Sequence, residues 1–228
     1  MDTSKKEIIL LDWDSNFFGM KVGKLHLYNE ELPSIKITDF DLVYIHSSKL
    51  LKNTHIPCYD KKVTFKKLIS AKRKNITNQH IITYNGKLTK ELLNLSLASG
   101  AFSRFKLDPR LSSYFKELYT LWIQNSLNGQ LADHVFIYKK ENEIIGFITL
   151  KKKENYFQIG LIATSHNHRG IGIGSSLLNK VENTVLSEGY NEIRVVSQLD
   201  NSTACKFYQK NNYIVDEIEY IHHHHKQL

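Results

Sequence analysis

The chain has 228 residues, 41% hydrophobic and 24% charged, which fits a globular protein of one large or two small domains and excludes a disordered one. Lys and Arg number 31 against 23 Asp and Glu, a formal net charge of +8 that favours anionic partners such as nucleic acids, acidic membranes or phosphorylated small molecules. No apolar run is long enough for a membrane span, and the opening MDTSKKEIILLDWD does not read as a signal peptide. Cys58 and Cys205, far apart, make no disulfide framework, so the expectation is a cytoplasmic protein with reduced thiols.

In chain order, the first β-like runs are Glu7 to Leu11, Lys21 to Leu27 and Phe40 to His46. The lysine clusters Lys61-Lys62 with Lys66-Lys67, and Lys151 to Lys153, read as solvated surface or turn. Composition shifts near residues 98 to 109, which divides the chain into an N-terminal α/β region, 1–100, and a second domain, 101–228. Residues 108 to 127 read as a helix, with Leu111, Phe115, Leu118, Tyr119, Trp122 and Ile123 on one face.

A three-strand meander follows: Val135 to Lys139, Glu143 to Leu150 and Asn155 to Ala163. The next helix runs from about Gly174 to Glu188, with Gly189 at its C′ position. Ile193 to Ser197 reads as a strand. After it comes a short helix with candidate N-caps at Asn201, Ser202 and Thr203 and a left-handed exit at Asn211-Asn212. The chain closes in a strand-like stretch, Tyr213 to His222. The order α-β-β-β-α-β-α-β predicts an α/β (α+β) fold: a mixed, mostly antiparallel sheet flanked by helices, beside a smaller β-rich N-terminal region. The terminal HHHHKQL reads as a surface-facing tail and not a metal site, because strand neighbours point to opposite faces and no cysteine or paired carboxylate completes a ligand set.

The segment HNHRGIGIGSSLL, residues 166 to 178, sets three alternate glycines beside an arginine and a helix start. A dinucleotide fingerprint fails, since a third glycine would fall on Leu177 or Ser175, and a Walker A loop fails for want of a lysine before Ser175 or Ser176. What survives is Arg169-x-x-Gly172-x-Gly174 between a strand and a helix. Glycines let backbone approach a diphosphate, and open helix N–H groups face it along the positive end of the dipole. In this setting the sequence resembles the GCN5-related N-acetyltransferases over residues 104 to 221. A second segment, NSTACKFYQKNNY at 201 to 213, is similar to that family's Asn-x-x-Ala-x-x-Phe-Tyr-x-Lys pattern, with Asn212 and Tyr213 standing for Gly and Phe.

The resemblance implies acetyl-CoA as co-substrate. Arg169, Gly170, Ile171, Gly172, Ile173, Gly174 and Ser175 would hold its pyrophosphate. Leu161, Ile162 and Ala163 would offer backbone to the pantetheine arm, with Asn201 and Ala204 beside it. Tyr208 would be the general acid that protonates the departing thiolate, a role typically worth about 10²–10⁴ in rate. Transfer would be direct. Cys205 is the rival nucleophile, but no His/Asp arrangement activates it. Asp133, His134, His166 and His168 are candidate relays for the amine proton.

The stretch LDWDSNFFGMKVGKL, residues 11 to 25, with KKVTFKK at 61 to 67 and SRFKLDP at 103 to 109, resembles the bacterial dTDP-fucosamine acetyltransferases and their relatives. That implies a nucleotide-linked amino-deoxy sugar as acceptor, with Trp13, Asp14, Phe17 and Phe18 as candidate contacts. A diphosphate suits the positive charge. Other amines (a peptide N-terminus, an amino acid, a polyamine) or a non-catalytic acyl-CoA sensor remain the alternatives. No basic stripe interleaved with aromatics points to nucleic acid. A homodimer is common in the family.

Overall fold

The computed structural model describes residues 7–27, 39–52, 54–70 and 77–226. It opens with a two-residue strand, β1 (Ile9–Leu10), and a helix, α1 (Asp12–Phe18). The strand expected over residues 7–11 is cut short because α1 starts at once. Ser15 Oγ donates to Leu11 O at 2.7 Å and accepts the Val22 N–H at 3.0 Å, tying the helix to the next strand. Gly19, at φ +64°, makes a left-handed exit that a β-carbon would strain.

Strands β2 (Val22–Leu27) and β3 (Leu42–Ser47) are parallel neighbours, and β4 (Cys58–Leu68) is eleven residues long. β4 carries lysines expected on a solvated surface. Instead Lys61, Lys62, Lys66 and Lys67 reach Asp200, Glu219, Asp216 and Glu182 at 2.8–3.0 Å, and Glu182 is only 2% exposed. These pairings, with Val63 and Phe65 buried between them, let a lysine-rich segment run inside a sheet.

After β5 (Ile81–Thr83) comes α2 (Lys90–Ser99), capped where Thr89 Oγ1 accepts the Leu92 N–H. The helix expected over 108–127 forms only from residue 112, as a 3-10 turn at Ser112–Tyr114 running into α4 (Phe115–Leu127), and a separate short helix, α3 (Arg104–Leu107), precedes it. Asp108 causes the break: its Oδ1 accepts the Arg110 N–H at 2.9 Å in an Asx turn. The remaining elements are β6 (His134–Lys140), β7 (Glu143–Lys152), β8 (Phe157–Thr164), α5 (Ile173–Ser187), β9 (Glu192–Gln198), α6 (Ser202–Lys210) and β10 (Ile214–His225). They follow the predicted order.

Among the described residues ten strands form one sheet in the order β1-β2-β3-β10-β4-β9-β8-β7-β6-β5, antiparallel except for β2/β3 and β8/β9. β4, from the first hundred residues, therefore lies between β9 and β10. α5 and α6 cover one face, over a core that includes Val63, Phe65, Leu177, Val181, Val195 and Tyr208. α1, α3 and α4 cover the other through Phe18, Phe105 and Leu118, with α2 beside them through Leu92 and Leu95. The C-terminal histidines are not a surface tail. β10 is an inner strand between β3 and β4, and His222 and His223 are each 1% exposed within it. Among the described residues no helix is long and apolar enough to cross a membrane.

Candidate active site

β8 and β9 pair only where Phe157 to Ile159 meet Ile193 to Val195. Beyond that, β8 stays with β7 as far as Thr164, and β9 stays with β4 as far as Gln198, so the sheet opens between them. The bulge that turns β8 away lies at Gly160 and Leu161, which together stand opposite the single residue Thr149 of β7. Leu161 gives its N–H to Thr149 Oγ1, and Ser165 gives its own to Ile145 O. By alternation along the strand, Leu161 and Ala163 direct their backbone groups at β7 and Ile162 directs its own into the opening. Of the three strand residues named from the sequence, Ile162 has its backbone free to meet an amide-bearing ligand.

The glycine loop stands at the mouth of this opening. Gly170 and Gly172 take φ +82° and +89°, where a side chain would strain the backbone. The first bond of α5 runs from Ser176 N–H to Gly172 O at 2.9 Å, and Gly172 supplies no side-chain cap. The N–H groups of Ile173, Gly174 and Ser175 are thus open at the positive end of a fifteen-residue helix. Gly174 is needed for a different reason: a β-carbon there would stand 3.0 Å from ring carbons of Phe207. That contact seats α6 against the start of α5. Arg169, Gly170 and Ile171 are exposed.

On α6, Asn201 Oδ1 accepts the Ala204 N–H at 3.1 Å, leaving the side-chain N–H₂ for a ligand. Asn212, at φ +62°, makes the predicted left-handed exit. Tyr208 is 3% exposed and packs against Phe65, Phe207 and Tyr213 with ring centroids 5.2–5.8 Å apart. Burial pushes its hydroxyl well above the ordinary tyrosine range, so it stays protonated. Cys205 Sγ lies 3.4 Å from Gln198 O, and burial raises the thiol as well. The protonated thiol is no nucleophile.

The four relay candidates separate. Asp133 bonds Lys151 Nζ at 3.0 Å and Lys152 N at 2.6 Å, and His134 Nε2 lies 2.6 Å from Glu188. The register sets both at the closed end of the β8/β9 pair, since His134 faces Leu150 and Leu150 faces Ile159. His166 and His168 form a single turn just before the glycine loop.

The opposite face of the sheet holds residues that the sequence alone does not single out. Tyr44 and His46 of β3, Glu219 and His223 of β10, and Asp60 and Lys62 of β4 share this face by register. Arg104 of α3 stacks over Tyr44 at 4.0 Å and Asp14 of α1 lies beside it, its carboxyl raised by burial. Trp13 is 48% exposed and stacks on Phe17 at 5.2 Å, whereas Phe18 is buried in the core. Burial works to raise the Glu219 carboxyl, but His46 and Lys62 outweigh it and hold it down to about 2.

Among the described residues two clusters have metal-ligand composition: His26, His46 and Glu219, and Asp108, His223 and His225. In the first, Lys62 Nζ sits 3.0 Å from the Glu219 carboxylate, which opposes a cation. In the second, Asp108 Oδ2 is already bonded to His223 at 2.6 Å and His225 at 2.7 Å.

Residues 100–213 match the Acetyltransferase (GNAT) family. The chain is 24% identical to the spore coat polysaccharide biosynthesis protein SpsD of Bacillus subtilis over 136 residues, 59% of this chain and 47% of that one. It is 28% identical to the dTDP-fucosamine acetyltransferase of Escherichia coli over 128 residues, 54% of each. It is 31% identical to streptothricin acetyltransferase A of Bacillus subtilis over 107 residues, 46% of this chain and 62% of that one. The chain thus spans about half the length of the first two relatives. In fold, it is similar to a functionally unknown conserved protein from Staphylococcus epidermidis, at TM-score 0.63 and 11% identity over 100% of this chain and 94% of that one. A PaiA N-acetyltransferase from Thermoplasma acidophilum in complex with coenzyme A aligns at TM-score 0.50 and 21% identity, over 64% of this chain and 99% of its own.

Proposed function

The chain belongs to the Acetyltransferase (GNAT) family, and on that premise we propose that it transfers acetyl from acetyl-CoA to the amino group of a nucleotide-linked amino-deoxy sugar, of the dTDP-4-amino-4,6-dideoxyhexose type. The observation that carries the reading is the β8/β9 opening beside the uncapped start of α5. It offers unpaired strand edge to the amides of pantetheine and three open N–H groups to the diphosphate. Arg169 adds charge there, and the Asn201 amide faces the arm from α6.

Transfer is direct. The amine attacks the thioester carbonyl, and Tyr208 gives its proton to sulfur as the intermediate collapses. The buried hydroxyl suits this role because it is protonated across the working pH range. Residues 1–100 supply the acceptor side: Trp13, Asp14 and Phe17 on α1, with the polar face of β3 and β4 behind them. Phe18 serves the core. The likeness to a polysaccharide biosynthesis protein and to a dTDP-fucosamine acetyltransferase supports a sugar. The likeness to streptothricin acetyltransferase A favours a second reading, in which the acceptor is another small amine.

Thiol release from acetyl-CoA, run with dTDP- and UDP-amino-deoxy-sugars beside polyamines, amino acids and peptides, separates the two. Turnover confined to nucleotide-sugars supports the first. Turnover confined to the others leaves the family and removes the sugar. Acetyl-CoA binding with no turnover on any amine favours a sensor.

A further inference from the structure

We propose that Asp60 is the catalytic base: its Oδ1 receives the acceptor's ammonium group and takes the proton that the nitrogen sheds on attack. The proposal rests on the acetyltransferase reading but not on which amine is accepted.

Asp60 is 7% exposed, and its Oδ1 is buried with no hydrogen-bond partner among the described residues. A nearby cationic donor, Arg104 Nη1, is buried and likewise has no partner among the described residues. Buried polar atoms are nearly always satisfied, so an orphaned acceptor, with an orphaned cationic donor close enough for its charge to act on the carboxyl, points to a ligand. Their position is the second observation. Asp60 precedes Lys62 by two residues on one face of β4, and Lys62 pairs with Gln198, the last residue of β9. The Gln198 side chain hydrogen-bonds the Asp60 carboxylate at the end of β9 that has parted from β8. The orphaned oxygen therefore lies at the open end of the strand pair, on the face opposite α5 and α6.

Every element packed around the carboxyl contributes. Arg104 of α3 and Lys62 of β4 are positive, Glu219 of β10 is negative, Gln198 of β9 is neutral, and Tyr119 of α4 stands close by. Burial outweighs the two cations and raises the group to about 6. It is ionised at neutral pH and more basic than a solvated carboxylate, as a general base should be.

The protons balance. The ammonium nitrogen gives one proton to Asp60 Oδ1. Its lone pair forms the C–N bond as the carbonyl π pair moves to oxygen. Re-forming the carbonyl breaks the C–S bond, whose pair leaves on sulfur, and Tyr208 protonates that thiolate. The remaining excess proton on nitrogen restores the Tyr208 hydroxyl. One ammonium, one thioester and one carboxylate become one amide, one thiol and one carboxylic acid.

The test compares the native protein with Asp60→Asn and Asp60→Glu in thiol release, on whichever amine the panel shows to be turned over. Acetyl-CoA binding by calorimetry is the control for folding. Asp60→Asn is expected to keep that affinity within about twofold and to lose about 10²-fold or more in kcat/KM at neutral pH. The native kcat/KM should rise through about 6. Asp60→Asn should lack that step and climb only as the acceptor's own amine deprotonates, and Asp60→Glu should restore it. A profile for Asp60→Asn parallel to the native one overturns the proposal, as does an equal loss in both variants. If only peptides or polyamines react, the sugar reading fails and the same profile on those amines decides Asp60. If no amine reacts, slow hydrolysis of acetyl-CoA, with water in the amine's place, decides it: loss in Asp60→Asn supports the base, and an unchanged rate overturns it.

Discussion

Thr149 Oγ1 accepts the Leu161 N–H at 2.8 Å, and that one bond holds the bulge from which β8 turns away from β9. Gly160 belongs to the same device, since a β-carbon there would stand 2.9 Å from Thr149 Oγ1. Thr149→Val keeps the shape and orphans a backbone donor, a loss of about 1–3 kcal/mol. For a chain of this size the melting temperature should fall by roughly 3–10 °C, and Thr149→Ser should restore most of it. Thermal denaturation with calorimetry of acetyl-CoA checks both effects, since affinity should fall alongside. Unchanged affinity in Thr149→Val would detach the bulge from the binding site.

Gly174 answers to Phe207 more than to a phosphate. Gly174→Ala should push the ring and tilt α6 away from the start of α5, weakening acetyl-CoA by about tenfold, a loss of some 1.4 kcal/mol. Adding Phe207→Leu should recover much of that affinity. If the double variant binds no better than Gly174→Ala, the alanine is blocking the ligand and not the ring.

Tyr208→Phe retains the ring stack on Phe65 and removes only the hydroxyl. Expected are a fall in kcat of about 10²–10⁴, an acetyl-CoA affinity within about twofold of native, and little change in stability. A fall in stability with kcat preserved would make Tyr208 a core residue and nothing more.

Much of this arrangement is legible in the sequence, and the rest is hidden for identifiable reasons. The α5 start, the Asn201 cap and the Asn212 exit announce themselves because glycine, asparagine and helical periodicity have local signatures. β4 does not, because its lysines read as surface until Glu182, Asp200, Asp216 and Glu219 arrive from the other half of the chain. The histidines of β10 mislead in the same way: His223 is buried through a bond to Asp108, 115 positions away. Asp60 carries no motif at all. Its one sequence signal is a lone acid near the start of a strand whose other charged residues are the lysine pairs Lys61-Lys62 and Lys66-Lys67.

The Lys67–Glu182 pair offers a stability test of β4. Lys67 Nζ lies 2.8 Å from a carboxylate that is 2% exposed, and also bonds Asn211 O at 2.9 Å. Lys67→Met should destabilise the fold by about 3 kcal/mol, because it takes the cation away from a buried carboxylate. Urea denaturation measures this, and a change below about 0.5 kcal/mol would mean that solvent reaches Glu182.

Acid should weaken the fold through His46 and His223. Both are held down to about 4, burial being the larger cause in each, against the opposing pull of Glu219 and Asp108. Each binds fewer protons folded than unfolded between its folded value and the ordinary value near 6.5. Stability is therefore full above about 6.5 and is lost as pH falls toward 4, by several kcal/mol for the two together. Urea unfolding at neutral pH and near 4.5 reads the slope, and His46→Asn should reduce it. A flat profile would show that both rings meet water.

The most direct measurement is the mass of dTDP-4-amino-4,6-dideoxyhexose after incubation with the protein and acetyl-CoA, with free thiol followed in parallel. The expected product is heavier by one acetyl group, with its amine blocked and one thiol released for each molecule formed. Unmodified sugar nucleotide, recovered while the same protein acetylates a polyamine or peptide, would contradict it.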